Sequence, residues 1–126
     1  MDYSFSKSLR LSKKSDIDLL FSKGLRLRNN SFTLLYLPVN SIESPFKVLI
    51  SVPKRNIKNA VERNYIRRCI REVLRTNKEL LLNSAQDHNG IHLALIYNLK
   101  SKIEYSKIEE YLLEVLHKFK KQNDKI

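Results

Sequence analysis

The stretch that decides the fold lies between residues 54 and 75 and has the sequence KRNIKNAVERNYIRRCIREVLR. At about 100° per residue, a helix through this stretch gathers its apolar side chains on one side. They are Tyr65, Ile66, Cys69, Ile70, Val73 and Leu74. Basic side chains dominate the remaining surface, where the acidic residues are Glu62 and Glu72. The pattern predicts a long helix that packs its apolar side on a sheet and presents a cationic side.

Arginine is the main residue of the cationic side, where Arg63, Arg67 and Arg71 follow one another at four-residue spacing. Arginine can bond a phosphate through two parallel N–H donors, and it stays charged at any relevant pH. Like charges at this spacing repel each other, which destabilises an isolated helix slightly. A charged helix face is usually only solvated, but this clustering favours a phosphate-binding surface.

The net charge of the chain indicates the same kind of partner. The sequence has 24 Lys and Arg against 13 Asp and Glu, which gives a formal charge of +11. Neutralising phosphates releases counterions from a nucleic acid, so nucleic acid is the first candidate, before an anionic membrane or an acidic protein. No apolar run approaches the roughly 18–20 residues of a spanning helix, and the chain starts without an apolar signal-peptide core. We therefore expect a soluble, cytoplasmic protein.

Side chains for metal binding or catalysis are scarce. The single cysteine, Cys69, excludes an internal disulfide, and the histidines lack zinc-like spacing: they are His88, His92 and His117. The only glycines, Gly24 and Gly90, cannot form a glycine-rich phosphate loop. Neither a carboxylate pair nor a nucleophile–base pair stands out. We expect no metal held by protein side chains and no catalytic residue.

The sequence predicts one domain over residues 1–126, with six elements in the order α-β-β-α-β-α. The helices are predicted at 14–23, 59–82 and 105–120, and the strands at 31–37, 46–52 and 92–98. Ser15 can cap the first helix and Gly24 can end it. The loop between the first two strands suggests an antiparallel hairpin. The predicted fold class is α/β, of the two-layer α+β kind, with a small mixed sheet and helices packed on it.

The basic helix resembles the signature of the bacterial ribonuclease P protein family. In that family the helix carries an Arg-Asn-Arg core, followed by Ile-Lys-Arg and then Arg-Glu. The residues that correspond here are Arg63, Asn64, Tyr65, Ile66, Arg67, Arg68, Arg71 and Glu72. Upstream, residues 16–24 match the N-terminal helix of the family, and the strand that begins at Phe32 also fits.

The resemblance implies a fold similar to a ribosomal protein S5 domain, with a left-handed crossover, and a function in tRNA processing. The partners would be the RNA subunit, which performs the hydrolysis with magnesium ions, and the 5′ leader of precursor tRNA. The protein would be the accessory subunit of this endoribonuclease. Carried over by position, the residues that would contact the catalytic RNA are Arg63, Asn64, Arg67, Arg68 and Arg71. The other predicted RNA-binding residues of the same basic stretch are Lys54, Arg55, Lys58, Tyr65 and Arg75. The leader cleft, between the first helix and the sheet, would be lined by Ile17, Phe21, Leu35 and Tyr36.

Departures from the family pattern fall in both regions. Tyr65 replaces an arginine, which removes a cation but could stack on a base or a ribose. Ile17 and Leu35 are aliphatic where the family often has aromatic residues. Base–aromatic stacking contributes roughly 1–3 kcal/mol per base, so Phe21 and Tyr36 become the stacking candidates. On spacing alone, Phe21 could equally be an ordinary core residue.

Two alternatives stay open at this point. A ribosomal-type RNA-scaffold protein of similar fold would show the same basic helix. A protein nuclease would use His92 and a nearby acid as its catalytic residues. Cleavage of precursor tRNA by the protein alone would separate the nuclease from the other two.

Overall fold

The structure is a computed structural model that describes residues 9–40, 46–85 and 90–123. Its elements are α1 (Lys14–Lys23), β1 (Leu25–Arg28), β2 (Phe32–Pro38), β3 (Phe46–Ser51), α2 (Ala60–Thr76), α3 (Lys78–Ala85), β4 (Ile91–Tyr97) and α4 (Tyr105–Asn123). All six predicted elements are present, so the α/β class is confirmed. The sequence pattern predicts neither β1 nor the division of the long helix into α2 and α3. In the described part of the chain, no helix is both long enough and apolar enough to cross a membrane.

The four strands form one mixed sheet in the order β1-β2-β4-β3. β4 pairs antiparallel with β2 and parallel with β3. The predicted hairpin between β2 and β3 is therefore wrong. The physical reason is the nearly continuous apolar sequence of β4, which suits a central strand buried on both faces. A parallel pair needs a crossover connection, and α2 and α3 provide it; its hand and the likeness to ribosomal protein S5 stay predictions.

The main core lies on the face of the sheet that carries α2, α3 and α4. Leu34 of β2 and Leu93 of β4 point into this core, where they meet Ile70 of α2 and Leu112 of α4. All four side chains are buried, and they belong to one large apolar cluster. The predicted two-layer packing describes this part of the molecule.

The opposite face of the sheet carries α1, which adds a partial third layer. Leu20 of α1 is fully buried, and it packs with Leu35 of β2, Ala94 of β4 and Leu11 in a second, smaller cluster. Leu11 reaches this cluster because its backbone N–H donates to the carbonyl of Val48 in β3, at 3.0 Å. The N-terminal segment thus runs beside β3 before α1 crosses the sheet.

The sequence does not predict β1 as a strand, because its residues, LRLR, are charged at alternate positions. It is an edge strand, paired only with β2 among the described strands. Leu27 reaches the main core, whereas Leu25 is largely exposed. Charged side chains on a short edge strand discourage pairing with another chain, and they also weaken the apolar pattern that reveals a strand.

Asparagines define both ends of α2. The side chain of Asn59 accepts hydrogen bonds from the backbone N–H groups of Val61, at 2.8 Å, and Glu62, at 3.2 Å, as an N-cap residue does. At the other end, Asn77 donates from its side chain to the carbonyl of Val73, at 2.9 Å. Such side-chain bonds compete with the helical ladder, and α2 ends at Thr76.

Gly24 ends α1, as predicted, although Ser15 does not cap its start. The N-cap residue is Lys13, without a side-chain capping bond. The backbone of Gly24 is extended, with φ −68° and ψ 151°, rather than left-handed. A Cβ atom at this position would lie 2.4 Å from the carbonyl oxygen of Leu20 and 3.2 Å from that of Tyr36. The last turn of α1 itself, at the carbonyl of Leu20, leaves no room for a Cβ atom, and the backbone of β2 adds a second tight contact. Lack of space, rather than a special backbone conformation, therefore requires glycine here.

We expect Gly24→Ala to destabilise the protein by about 1–3 kcal/mol, the usual range for an atom forced into a packed site. Alanine can adopt the backbone angles of Gly24, so the destabilisation comes from the steric clash. Urea denaturation followed by circular dichroism measures it. The neighbouring Lys23→Ala is the control, because an exposed substitution usually changes stability by less than about 0.5 kcal/mol. Equal stability of the two variants would contradict the packing role.

Candidate nucleic-acid interface

The predicted apolar side of α2 faces the core. Ile66, Ile70 and Val73 are fully buried, and α2 packs against α4 and β3. The first turn of the helix differs, because Ala60 is exposed and Val61 is 76% exposed. Ala60 and Val61 fall on the basic side of α2, so this side combines cations with a small apolar patch.

Arginines from two segments come together beside β3. Arg10 forms an isolated bridge with Val48, which places it beside β3 at the edge of the sheet. Burial lowers the pKa of the Arg71 guanidinium, and the nearby charges of Arg10 and Arg67 lower it further. We call Arg10, Arg67 and Arg71 the arginine cluster. Arg10 was not among the predicted RNA-binding residues, because only the pairing of its segment with β3 brings it close.

Arg71 has an unsatisfied hydrogen-bond donor. Its Nε atom is buried and has no hydrogen-bond partner among the described residues. A buried donor without an acceptor typically costs about 1–3 kcal/mol. A phosphate oxygen that approached the cluster could accept from this guanidinium and offset the repulsion among the three positive charges.

Arg63 and Arg75 have partners inside the protein. Nη1 of Arg63 donates to the carbonyl oxygens of Ile57 and Lys58, both at 2.9 Å. Arg75 forms a two-bond ion pair with Glu72, in which Nε and Oε2 lie 2.9 Å apart. The hydrogen bond from Arg75 lowers the pKa of Glu72. An RNA contact from Arg63 or Arg75 would have to compete with these bonds.

The other predicted RNA-binding residues lie on the surface. Arg67 donates to the side-chain oxygen of Asn64, at 2.8 Å, which leaves both residues on the same side of α2. Lys54, Arg55 and Lys58 are exposed in the turn that precedes α2. Asn64 and Arg68 are exposed on the helix itself.

Tyr65 lies on the other flank of α2, towards α4. The Nζ atom of Lys102 is 4.7 Å from the centroid of its ring, a typical cation–π distance. Its hydroxyl lies beside the thiol of Cys69, and this hydrogen bond raises the pKa of Tyr65. A base that stacked on Tyr65 would therefore meet Lys102. No local pattern in the sequence indicates Lys102, which is distant in the chain from α2.

The residues predicted to line the leader cleft lie on one flank of α1 and on two opposite faces of the sheet. With Leu20 pointing to the sheet, the helical angle puts Ile17 and Phe21 on one flank of α1. Ile17 packs on the smaller cluster, and 43% of Phe21 is exposed. Leu35 is buried beneath α1. Leu35 therefore lies between the sheet and α1, where the helix covers it, and it does not form an accessible wall of a cleft.

The prediction that Tyr36 lines the leader cleft is wrong. Successive residues of a strand point to opposite faces, and Tyr36 points away from α1 into the main core. Its ring is fully buried, with its centroid 4.9 Å from that of Phe119 in an edge-on arrangement. The hydroxyl has no hydrogen-bond partner among the described residues, and burial raises its pKa.

Metal ligands do not gather in the part of the chain that the structure describes, where no three His, Cys, Asp or Glu side chains come close enough to hold an ion. His88 lies outside the described residues. His92 and His117 are in β4 and α4.

Comparison with known proteins identifies the family. The sequence model of the family Ribonuclease P matches residues 5–121. The chain belongs to the ribonuclease P protein family. The ribonuclease P protein component of Petrotoga mobilis is 34% identical over 114 residues, which cover 90% of this chain and 93% of that protein. The ribonuclease P protein component of Streptococcus agalactiae is also 34% identical, over 87% of this chain and 93% of its own.

Solved structures of the ribonuclease P family have the same fold. The RNase P protein of Staphylococcus aureus superposes with a TM-score of 0.69 at 28% identity, and the match covers 88% of this chain and 94% of that one. The resemblance drawn from the basic helix is thus confirmed for the family. The roles of individual residues stay predictions.

We expect Arg63 and Arg68 to respond differently to the same substitution. Arg63→Ala removes two hydrogen bonds to backbone carbonyls, so we expect a loss of about 1–3 kcal/mol in the free energy of unfolding. Arg68→Ala makes the same change in charge at an exposed position, and we expect less than about 0.5 kcal/mol. Urea denaturation of both variants measures the difference. Similar stabilities would mean that the Arg63 bonds do not hold the turn before α2.

Proposed function

We propose that this chain is the protein subunit of ribonuclease P and acts in the cytoplasm. In this role it binds the catalytic RNA and the 5′ leader of precursor tRNA, and it promotes formation of the mature 5′ end. The observation that carries the proposal is the arginine cluster, in a chain that belongs to this family. Three cations from two segments, with a buried donor at Arg71, form a surface suited to RNA phosphates.

The chemistry proposed for the protein is electrostatic. The RNA subunit would hold the magnesium ions and perform the hydrolysis, and the arginine cluster would reduce repulsion between phosphates of the folded RNA. Arg68 and the exposed lysines before α2 extend the cationic surface. Clustered cations lower the free energy of an RNA fold that packs phosphates closely. The RNA subunit would therefore fold at a lower concentration of magnesium when the protein is bound.

The proposed leader contact is the Ile17 and Phe21 flank of α1. A partly exposed aromatic ring is a stacking surface for a single-stranded base, and Phe21 offers one. This flank faces the end of the sheet where Thr33, Ser51 and Ile96 lie in register. The chain leaves that end of β3 to form α2. A leader bound there would lie on the side of the molecule from which the RNA-binding helix starts.

One observation bears on each of the two alternative functions, the ribosomal-type scaffold protein and the protein nuclease. A ribosomal-type scaffold protein would share the basic surface, and family membership is what favours ribonuclease P. For a protein nuclease, Asp16 is the acid near His92, since its charge raises the pKa of His92 against the larger effect of burial. Incubation of precursor tRNA with the protein in the absence of the RNA subunit separates a protein nuclease from the proposed subunit.

We expect the protein to accelerate leader removal by the cognate RNA subunit at low magnesium. Without that RNA, we expect the protein to cleave no precursor tRNA. Affinity should increase with leader length, and Phe21→Ala should weaken this dependence because a stacked base contributes roughly 1–3 kcal/mol. Ile17→Val, a small change on the same flank, is the control. Gel-resolved cleavage and competition binding measure both effects. Cleavage by the protein alone, or no acceleration with RNA, would refute the proposed function.

We expect Arg67→Ala and Arg71→Ala each to reduce the salt dependence of RNA binding by about one phosphate contact. The measurement is the slope of log affinity against log salt for the RNA subunit. Lys121→Ala, at an exposed position near the end of α4, is the charge-matched control and should keep the original slope. An unchanged slope in both arginine variants would mean that this side of α2 is only solvated.

A further inference from the structure

A second cleft lies on the flank of α1 that faces away from Phe21. It has a volume of about 730 Å³ and opens between α1 and one end of the sheet. α1 contributes Asp16, Leu19 and Lys23 to its walls, and the sheet contributes Lys47 and His92. None of the four residues predicted for the leader cleft lines it.

α1 itself separates the two flanks. Leu20 is fully buried against Leu35 and Ala94 in the middle of the sheet, so no open passage runs beneath the helix at this point. At 100° per residue, Asp16, Leu19 and Lys23 project to the side opposite Ile17 and Phe21. The second cleft is therefore a site of its own rather than an extension of the proposed leader contact.

The second cleft has an excess of positive charge. Lys13, Lys23 and Lys47 line it, against the single carboxylate of Asp16 among its lining residues. His92 is only 7% exposed, and burial lowers its pKa, an effect that Lys47 increases and Asp16 opposes. At neutral pH the imidazole is thus uncharged, with one nitrogen that donates and one that accepts.

Apolar surface completes the second cleft. Leu37 and Pro38 of β2 form part of one wall, and Leu19 of α1, 43% exposed, lies on the helix side. The volume falls in the range of roughly 300–1,000 Å³ that small-ligand sites occupy. The lysines suit the phosphate of a nucleotide, and the uncharged histidine suits the hydrogen-bonding edge of its base. The aliphatic walls can cover the base by apolar contact rather than by ring stacking.

We propose that the second cleft binds a nucleotide of single-stranded RNA, with its phosphate near Lys13, Lys23 and Lys47 and its base against Leu19 and Leu37. His92 would hydrogen-bond the edge of the base. The proposal rests on the proposed function only in taking RNA as the ligand, since it uses no residue of the arginine cluster or of the Phe21 flank. The protein would then hold single-stranded RNA on both sides of α1.

The test is a nuclear magnetic resonance titration of the nitrogen-15-labelled protein with tetra-adenylate and, separately, with adenosine monophosphate. We expect tetra-adenylate to shift the backbone amide signals of Leu19, Leu37 and His92. Shifts with the monophosphate as well would indicate a site for free nucleotides, and shifts with the tetranucleotide alone a site for a strand. Absence of shifts at these amides with both probes would overturn the proposal.

The same spectra distinguish binding in the second cleft from binding at the proposed leader contact. Signals of Phe21, Thr33 and Ile96 report on the other flank of α1, where the leader contact is proposed. Shifts confined to that flank would support the leader contact and overturn the second cleft. Shifts confined to Leu19, Leu37 and His92 would support the second cleft and count against the leader contact.

A charge-matched pair of variants gives an independent measurement. Lys23→Glu places a carboxylate in the second cleft, whereas Lys14→Glu makes the same change on α1 at an exposed residue that does not line it. Followed at the Leu37 and His92 amides, the affinity for tetra-adenylate should fall about tenfold in Lys23→Glu and much less in Lys14→Glu. Equal losses would indicate general attraction to a basic protein and would overturn the proposal.

Discussion

The position of β4 in the middle of the sheet is the constraint on which the rest of the structure depends. Its residues are buried on both faces, and His92 is its only side chain that ionises near neutral pH. A strand with two apolar faces must be covered by a layer on each side. Its parallel pairing with β3 requires a crossover, and that crossover contains the basic helix. The arginine cluster exists because the crossover runs along the same edge of the sheet as the N-terminal segment with Arg10.

On the second face of the sheet, small residues allow α1 to pack closely against the strands. Ala94 is small and fully buried beneath the helix, and Gly24 lets the last turn meet the backbone of β2. Because α1 crosses the strands rather than running along them, it covers the middle of the face, and the described residues leave both ends of that face uncovered. One helix thus creates two separate surfaces for a ligand, with Phe21 on one and Leu19 on the other.

The helices were predictable from the sequence, whereas strand pairing and strand orientation were not. Helical periodicity identifies the buried side of α2 from Ile66, Ile70 and Val73 alone. β2 has no such period, because Leu34, Leu35 and Tyr36 are all apolar and all buried. Nothing local shows which of them points to α1, so Leu35 and Tyr36 were assigned to the same cleft although they lie on opposite faces. Partners such as Lys102 for Tyr65 depend on the tertiary fold and leave no trace in the local sequence.

The arginines of α2 fall into two groups, those bonded to other groups of the protein and those of the arginine cluster. The structure distinguishes the two groups, whereas the amino-acid composition does not. Arg63 donates to two backbone carbonyls, and Arg75 pairs with the carboxylate of Glu72. Arg71 lies beside Arg10 and Arg67 with a donor unsatisfied among the described residues. Repulsion within this cluster raises the free energy of the unbound protein, and a polyanion lowers it again. If RNA binds this side of α2 as proposed, its affinity depends less on how many arginines the helix carries than on how many of their donors the fold leaves without an acceptor, as at Nε of Arg71 among the described residues.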